Sequence, residues 1–276
     1  MIQQSLQRGF TLIEMVIVIV VGGIVAAMTV SILTLPINAY IDSARRATLT
    51  DVAESALRRM QRDIRAALPN SIRVSGDGQT LELLHIINGG RYRAQLAVDV
   101  SGALIGGNVL DFTINDTSFA VLGGLSNFAN ITIGTDLVAV YPIDASDAYA
   151  GLNTAVTAAG SNANNLVINA FQFPLSSPGQ RFFIVDIPIT YDCNTAAVAR
   201  QNRVLNRYEA YAIQAVQPTP PVNAPAIQAN FLDTCVFTYS SGSSSRSGLV
   251  TLELTFTDDA GESVRLVHQV HVDNQP

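Results

Sequence analysis

Hydrophobic positions in this chain change period twice. Over residues 10–30, "FTLIEMVIVIVVGGIVAAMTV", they run almost unbroken around a single carboxylate, Glu14, and residues 15–41 carry no charge. As a helix rising about 1.5 Å per residue, positions 15–35 span roughly 31 Å, close to the hydrocarbon thickness of a bilayer. After Pro36 the apolar positions thin to a three-and-four spacing. Leu49, Val52, Ala53, Ala56, Leu57, Met60, Ile64, Ala67 and Leu68 fall on one helical face, and Arg45, Arg46, Asp51, Glu54, Arg58, Arg59 and Arg62 take the other positions. Pro69 should stop the helix, because the residue before proline disfavours helical geometry. The pattern predicts one element over 10–68, a stem of about 88 Å, with its first half in lipid and its second half packed on a head.

From Ser71 the period is two. "SIRVS", "TLELLHII", "RYRAQLAV", "VLDFTI", "DLVAVYPI", "NLVINAFQF", "RFFIVDIPITY", "YEAYAI" and "CVFTY" read as short strands between Gly, Asn, Asp and Ser clusters. The clearest hairpin is "LVTLELTFT", the turn "DDAGE", then "SVRLVHQVHV". It sets Val250, Leu252, Leu254 and Phe256 on one face, with Gly261 supplying the positive φ of the turn. "QPTPPVNAP" (217–225) and "SSGSSSRSG" (240–248) read as loops. The fold class expected is α+β: a long N-terminal helix, half transmembrane (10–35) and half amphipathic (36–68), laid against an antiparallel β-sheet head (69–276).

Composition narrows the function. Charged residues make up only 14% of the 276 positions and hydrophobic ones 48%, so the head should bury a sizeable core. Carboxylates outnumber cations 22 to 16, and every cation is arginine. No basic cluster interleaves with aromatics, which argues against nucleic acid as a partner. Arg58, Arg59, Arg62 and Arg65 are a candidate anionic-lipid or phosphate site, but read more simply as a solvated helix face. Cys193 and Cys235 are the only cysteines. An isolated pair in a chain that enters a membrane at its N-terminus implies one disulfide in an oxidising compartment, with two buried thiols as the alternative. Such a bridge closes about 43 residues and contributes roughly 4 kcal/mol in the chain-entropy model.

Catalytic chemistry is hard to find. His268 and His271 lie three apart on a strand and so point to opposite faces, unable to share a metal without a bulge. His85 sits alone among aliphatics. G-x-S-x-G, H-E-x-x-H and Walker patterns are missing from the sequence, and the aspartates of "DASDAY" and "TDD" match no calcium loop. The expectation is no metal, no cofactor and no enzymatic activity.

Glu14 remains to be explained, since a carboxylate at a membrane helix centre costs about 2.5–3.5 kcal/mol, less near the interface. Arg8 in the polar leader favours a cytoplasmic N-terminus by the positive-inside rule. No A-x-A-like cleavage site of any strength follows the apolar run. The sharp boundary is Gly9|Phe10. A cut there creates an amine one turn from Glu14. That amine and the carboxylate are poorly placed within one chain, but they can pair between parallel helices offset along their axis. The stretch "RGFTLIEMVIVIV" resembles the class III signal of type IV pilins and pseudopilins. The resemblance implies a leader over 1–9, cleavage after Gly9 by a prepilin peptidase, N-methylation of Phe10, and Glu14 as the assembly glutamate. It also implies a route from a single-pass bacterial inner-membrane form, head periplasmic, to a filament or its tip. The partners implied are other pilin and minor pilin subunits and an inner-membrane assembly platform. The first proline, Pro36, comes later than is usual in that family. "ALPNSIRVS" (67–75), the chain length and the cysteine spacing resemble minor pilins of MSHA-pilus biogenesis. Rival readings are a minor pseudopilin of a type II secretion system and a membrane-anchored adhesive or ligand-binding protein.

Overall fold

The computed structural model describes residues 9–242 and 247–272; leader positions 1–8, including Arg8, the middle of the serine tract and the last four residues lie outside them. The chain forms two compact units, Met1–Thr48 and Leu49–Pro276. A single helix, α1 (Leu12–Arg65), supplies the described secondary structure of the first and opens the second. In the first unit every described side chain of the helix is exposed. In the second, Leu49, Ala53, Ala56, Leu57, Met60 and Ile64 are buried, while Arg58, Arg59, Arg62 and Arg65 are exposed.

The helix ends at Arg65, before the expected Leu68. The reason is competition for backbone partners. Ala66 N–H is shared between the Arg62 and Asp63 carbonyls. Leu68 N–H donates to Leu84 O at 2.8 Å, and Ile86 N–H donates to Ala66 O at 2.9 Å. Residues 66–68 thus leave the helix onto a strand edge, with Ala67 bridged to His85.

The rest of the second unit is sheet. Its first strands are β1 (Arg73–Val74), β2 (Thr80–Tyr92), β3 (Ala97–Val98), β4 (Leu104–Ile105), β5 (Asp116–Leu122) and β6 (Leu137–Ala139). A short helix α2 (Ala145–Tyr149) precedes β7 (Thr154–Val156), β8 (Asn165–Phe171), β9 (Arg181–Asn194) and β10 (Val204–Tyr208). The chain closes with β11 (Ala226–Asn230), β12 (Leu232–Ser240), β13 (Gly248–Thr257) and β14 (Ser263–Val272). A nine-stranded sheet runs β11-β10-β9-β2-β5-β8, with β1 on β2, and β6 on β9 carrying β7. A three-stranded sheet runs β12-β13-β14, and β3 and β4 form a small hairpin of their own. All pairings are antiparallel.

Strands β2 and β9 are long enough to serve two cores. Leu81 and Leu83 of β2 and Ile189, Tyr191 and Cys193 of β9 join the helix and the three-stranded sheet in one cluster. Tyr92 and the Phe182 and Ile184 end of β9 join β5, β6 and β8 in another. Register shifts at Leu84/Ile86 and Ile86/Asn88 separate the two halves, next to Pro188, which pairs with Leu84. A bulge re-aims the side chains on either side of it, and proline is tolerated there because a ladder donor is already lost.

Four expectations need correction. Residues 109–114, "VLDFTI", form no strand: Asp111 N–H donates to Asp116 Oδ2 at 2.8 Å and Thr113 N–H to Asp111 Oδ1 at 2.7 Å, so local side chains take the backbone donors a ladder would need. "YEAYAI" contributes only Tyr208, because Ala210 adopts φ 58°, a left-handed conformation that breaks the extended chain. "RYRAQLAV" is not continuous either, since β2 ends at Tyr92 and β3 begins at Ala97. Strands β4, β5, β7, β10 and β11 were not foreseen; Asn and Arg interrupt the alternation of β10, "VLNRY", yet both are buried.

Cys193 of β9 and Cys235 of β12 form a disulfide, and no described cysteine is free. The bond joins the nine-stranded sheet to the three-stranded one. Gly78 supports the same junction at φ 72°: its carbonyl accepts Phe237 N–H at 2.7 Å, and a Cβ there would stand 3.2 Å from the Phe237 oxygen. At the β13–β14 turn Gly261 has φ 90°, and Asp258 Oδ1 accepts from the N–H groups of Ala260 and Glu262.

Candidate functional site

Thr11 is the residue before the first helical position, and Glu14 lies three further on. The Glu14 carboxylate Oε2 accepts from Thr11 N–H at 3.1 Å and from the Thr11 hydroxyl at 3.2 Å, while Glu14 N–H points at Thr11 Oγ1 from 3.3 Å. This is a reciprocal capping box, Thr-x-x-Glu, in which side chains satisfy donors the first helical turn leaves open. A carboxylate in the first turn also faces the positive end of the helix dipole. Glu14 therefore has a partner inside its own chain, which the reading of its charge alone had missed. The signal was present in the sequence as "TLIE" before an apolar run.

Glu14 keeps reach for a second partner. Both side-chain bonds use Oε2, and Oε1 accepts none among the described residues. Gly9 and Phe10 precede the cap, both exposed, with Phe10 84% accessible. The three residues singled out in the sequence, Gly9, Phe10 and Glu14, lie within two turns' reach of chain at one helix end. Residues Leu12–Val30 have a mean hydropathy of 2.5 and are long and apolar enough to cross a membrane. Within them the hydroxyl of Thr29 donates to Val25 O at 2.8 Å, so a polar group is satisfied without water. Pro36 lies inside α1, which continues through it although proline offers no N–H.

The head holds buried polar networks. Glu82, fully buried, is bound by Arg73 Nε at 2.7 Å and by the Tyr211 hydroxyl at 2.9 Å. Burial raises its pKa while Arg73 opposes the rise. Arg73 also donates to the Gln214 and Ala215 carbonyls and lies 3.6 Å from the centre of the Tyr149 ring. Asp63 of α1 accepts from Tyr191 OH and Arg207 Nε, both at 2.8 Å. Burial raises the Tyr191 pKa, and Asp63 adds to the rise. Burial works against the Arg207 charge, but hydrogen bonds to Asp63 and Glu209 outweigh it.

His85 is only half-buried and binds Asp186 Oδ1 through Nδ1 at 2.8 Å, so it is a partnered surface-edge histidine rather than a core one. On β14, His268 stands opposite Leu252 and His271 opposite Leu249; His268 is half-buried and His271 exposed. Among the described residues no three His, Cys, Asp or Glu side chains are placed to hold a metal.

An apolar N-terminal helix followed by antiparallel β-sheet fits an α+β, pilin-like fold. The family model for the prokaryotic N-terminal methylation motif matches residues 4–30. That match covers the capping box and the exposed Gly9–Phe10 pair and supports a type IV pilin-like subunit. No curated protein and no solved structure matches the chain.

Proposed function

We propose that the chain is a minor pilin, cut after Gly9 by a prepilin peptidase, methylated at Phe10 and assembled into a type IV pilus or its priming or capping complex. The observation that carries this reading is the match over residues 4–30, with Glu14 the one charged residue among positions 9–41. In the membrane the carboxylate is held by Thr11. In the filament Oε1 receives the methylated amine of Phe10 on an adjoining helix, a charge pair that fixes register in apolar surroundings. The partners on this reading are other pilin subunits, the peptidase, the membrane and the assembly platform. The head starts in the periplasm, where a disulfide persists, and plays a structural part without catalysis or cofactor.

The finer assignment to an MSHA-type pilus rests on residues 67–75, chain length and cysteine spacing, and a type II secretion pseudopilin shares the signal and helix. Flanking genes separate those two. Mass spectrometry of the N-terminus from sheared filaments tests the main reading. It should find N-methylated Phe10 as the first residue; a functional protein that retains Met1 would falsify it.

A further inference from the structure

We propose that residues 209–225 are a detachable strap, latched by Arg73 and Tyr211 over a polar face of the nine-stranded sheet, which lifts as a unit while the sheet stays folded. These residues join β10 to β11 and hold no helix or strand. Unstructured connections longer than roughly 12–15 residues are uncommon inside compact domains and usually have a functional reason. Strands β10 and β11 pair directly, Arg207 opposite Ala226 and Val204 opposite Asn230, so the sheet already holds the two ends of the strap together. Lifting it breaks no bond of that ladder.

What lies beneath is polar. Along β2 and β9, Leu81, Leu83, Ile189 and Tyr191 belong to the cluster under α1, so the alternate residues Thr80, Glu82 and Thr190 point to the opposite face. All three are buried. Glu82 stands across the ladder from Thr190, and one strap residue closes on both. The Tyr211 hydroxyl donates to Glu82 Oε1 at 2.9 Å and accepts from the Thr190 hydroxyl.

Arg73 is the second latch. Its Nε binds Glu82 Oε2 at 2.7 Å, which leaves Nη1 and Nη2 to donate to the Ala215 and Gln214 carbonyls at 2.7 and 2.8 Å. One rigid guanidinium fork thus holds two consecutive strap carbonyls while Glu82 ties it to the sheet. Gln217 adds a weaker bond, from Nε2 to Thr80 O at 3.3 Å.

The apolar hold is slight. Ile213 is partly buried against the cluster of Leu68, Leu84 and Tyr149, and Pro221 is buried, but Ala212, Ala215, Val216 and Val222 are exposed. Lifting the strap trades its hydrogen bonds for bonds to water, at small net cost, and uncovers polar sheet surface. Hydration of the Glu82 carboxylate, whose charge burial disfavours, helps the open form. Segments with few buried apolar contacts open well below the cost of global unfolding.

The test uses the full chain in detergent micelles, oxidised so that Cys193 and Cys235 stay joined, with one added thiol as reporter. T190C puts the thiol under the strap, on the face of β9 opposite Cys193. V250C puts it in the cluster under α1, where only global unfolding exposes it. A maleimide under native conditions should label T190C roughly tenfold faster than V250C. R73K keeps a cation beside Glu82 but has no fork for two carbonyls, and Y211F removes the other latch. Each should speed labelling of T190C by a further factor of about ten and leave V250C unchanged. Equal labelling of the two thiols would overturn the proposal, as would latch variants that leave T190C unaffected or speed both thiols alike. None of these readouts depends on cleavage at Gly9, so they fail or succeed separately from the assembly reading.

Discussion

Glu14 and Thr11 hold each other at the start of α1, with the carboxylate Oε2 3.1 Å from the Thr11 nitrogen and 3.2 Å from its hydroxyl. The contact separates two roles that an alanine substitution would confound. Glutamine at the third helical position completes a capping box as glutamate does, but carries no charge. E14Q should therefore insert in the membrane with a normally capped helix and yet fail to enter filaments. E14A also loses the carboxylate that accepts from Thr11 N–H and its hydroxyl, half of the capping box, so its first helical turn should fray more readily. Quantifying each variant in membranes and in sheared filaments distinguishes them; wild-type incorporation of E14Q would show that the charge is not used.

How much of this was legible in the sequence depended on whether a signal was local. The apolar run, the β13–β14 hairpin and the cysteine pair were all readable, because each is encoded by residues adjacent in sequence or by a count. The hairpin's alternation is reproduced side chain by side chain, with Val250, Leu252, Leu254 and Phe256 buried. Strand β10 was not readable, since Asn206 and Arg207 look like solvent positions until Asp63, far away in sequence, arrives to pair with Arg207. Residues 109–114 failed in the opposite direction: their alternation is strand-like, but Asp111 and Asp116 turn the backbone on itself. The same holds for Glu14, whose charge was noticed before its spacing from Thr11.

The disulfide should be a major support of the head. Cys193 and Cys235 are both buried, 42 positions apart, and join the two sheets. Opening a loop of that length costs about 4 kcal/mol in the chain-entropy model. Denaturant unfolding of a C193A/C235A variant should show a midpoint lowered accordingly, with the slope little changed. Alkylation of the oxidised wild-type protein should label no thiol, and two labelled cysteines would contradict the bridge.

Asp63 anchors the helix to the nine-stranded sheet through Arg207, whose side chain is 6% exposed. Removing one partner of a buried ion pair strands the other charge, at about 3–5 kcal/mol. Because Glu209 also binds Arg207, D63A should fall at or below the lower end of that range. Adding R207M should recover part of the loss, since it removes the stranded guanidinium while keeping an apolar stem. Thermal melts of the two single variants and the double variant measure the coupling; additive losses would mean that the pair is not the anchor.

His85 makes stability depend on pH in one direction. Its bond to Asp186 raises the imidazole pKa above the ordinary 6.5, against the opposing effect of burial. A histidine whose folded pKa exceeds the unfolded value stabilises the fold fully below the unfolded pKa, and that contribution disappears as pH rises through the folded one. The melting temperature of the head should accordingly decline as pH is raised from below 6.5 through the elevated value. H85Q keeps a polar side chain but has no proton to lose in this range, so its melting temperature should change less over the same interval. A wild-type profile that rises with pH there, or one that H85Q reproduces, would mean that the His85–Asp186 bond has no part in the response.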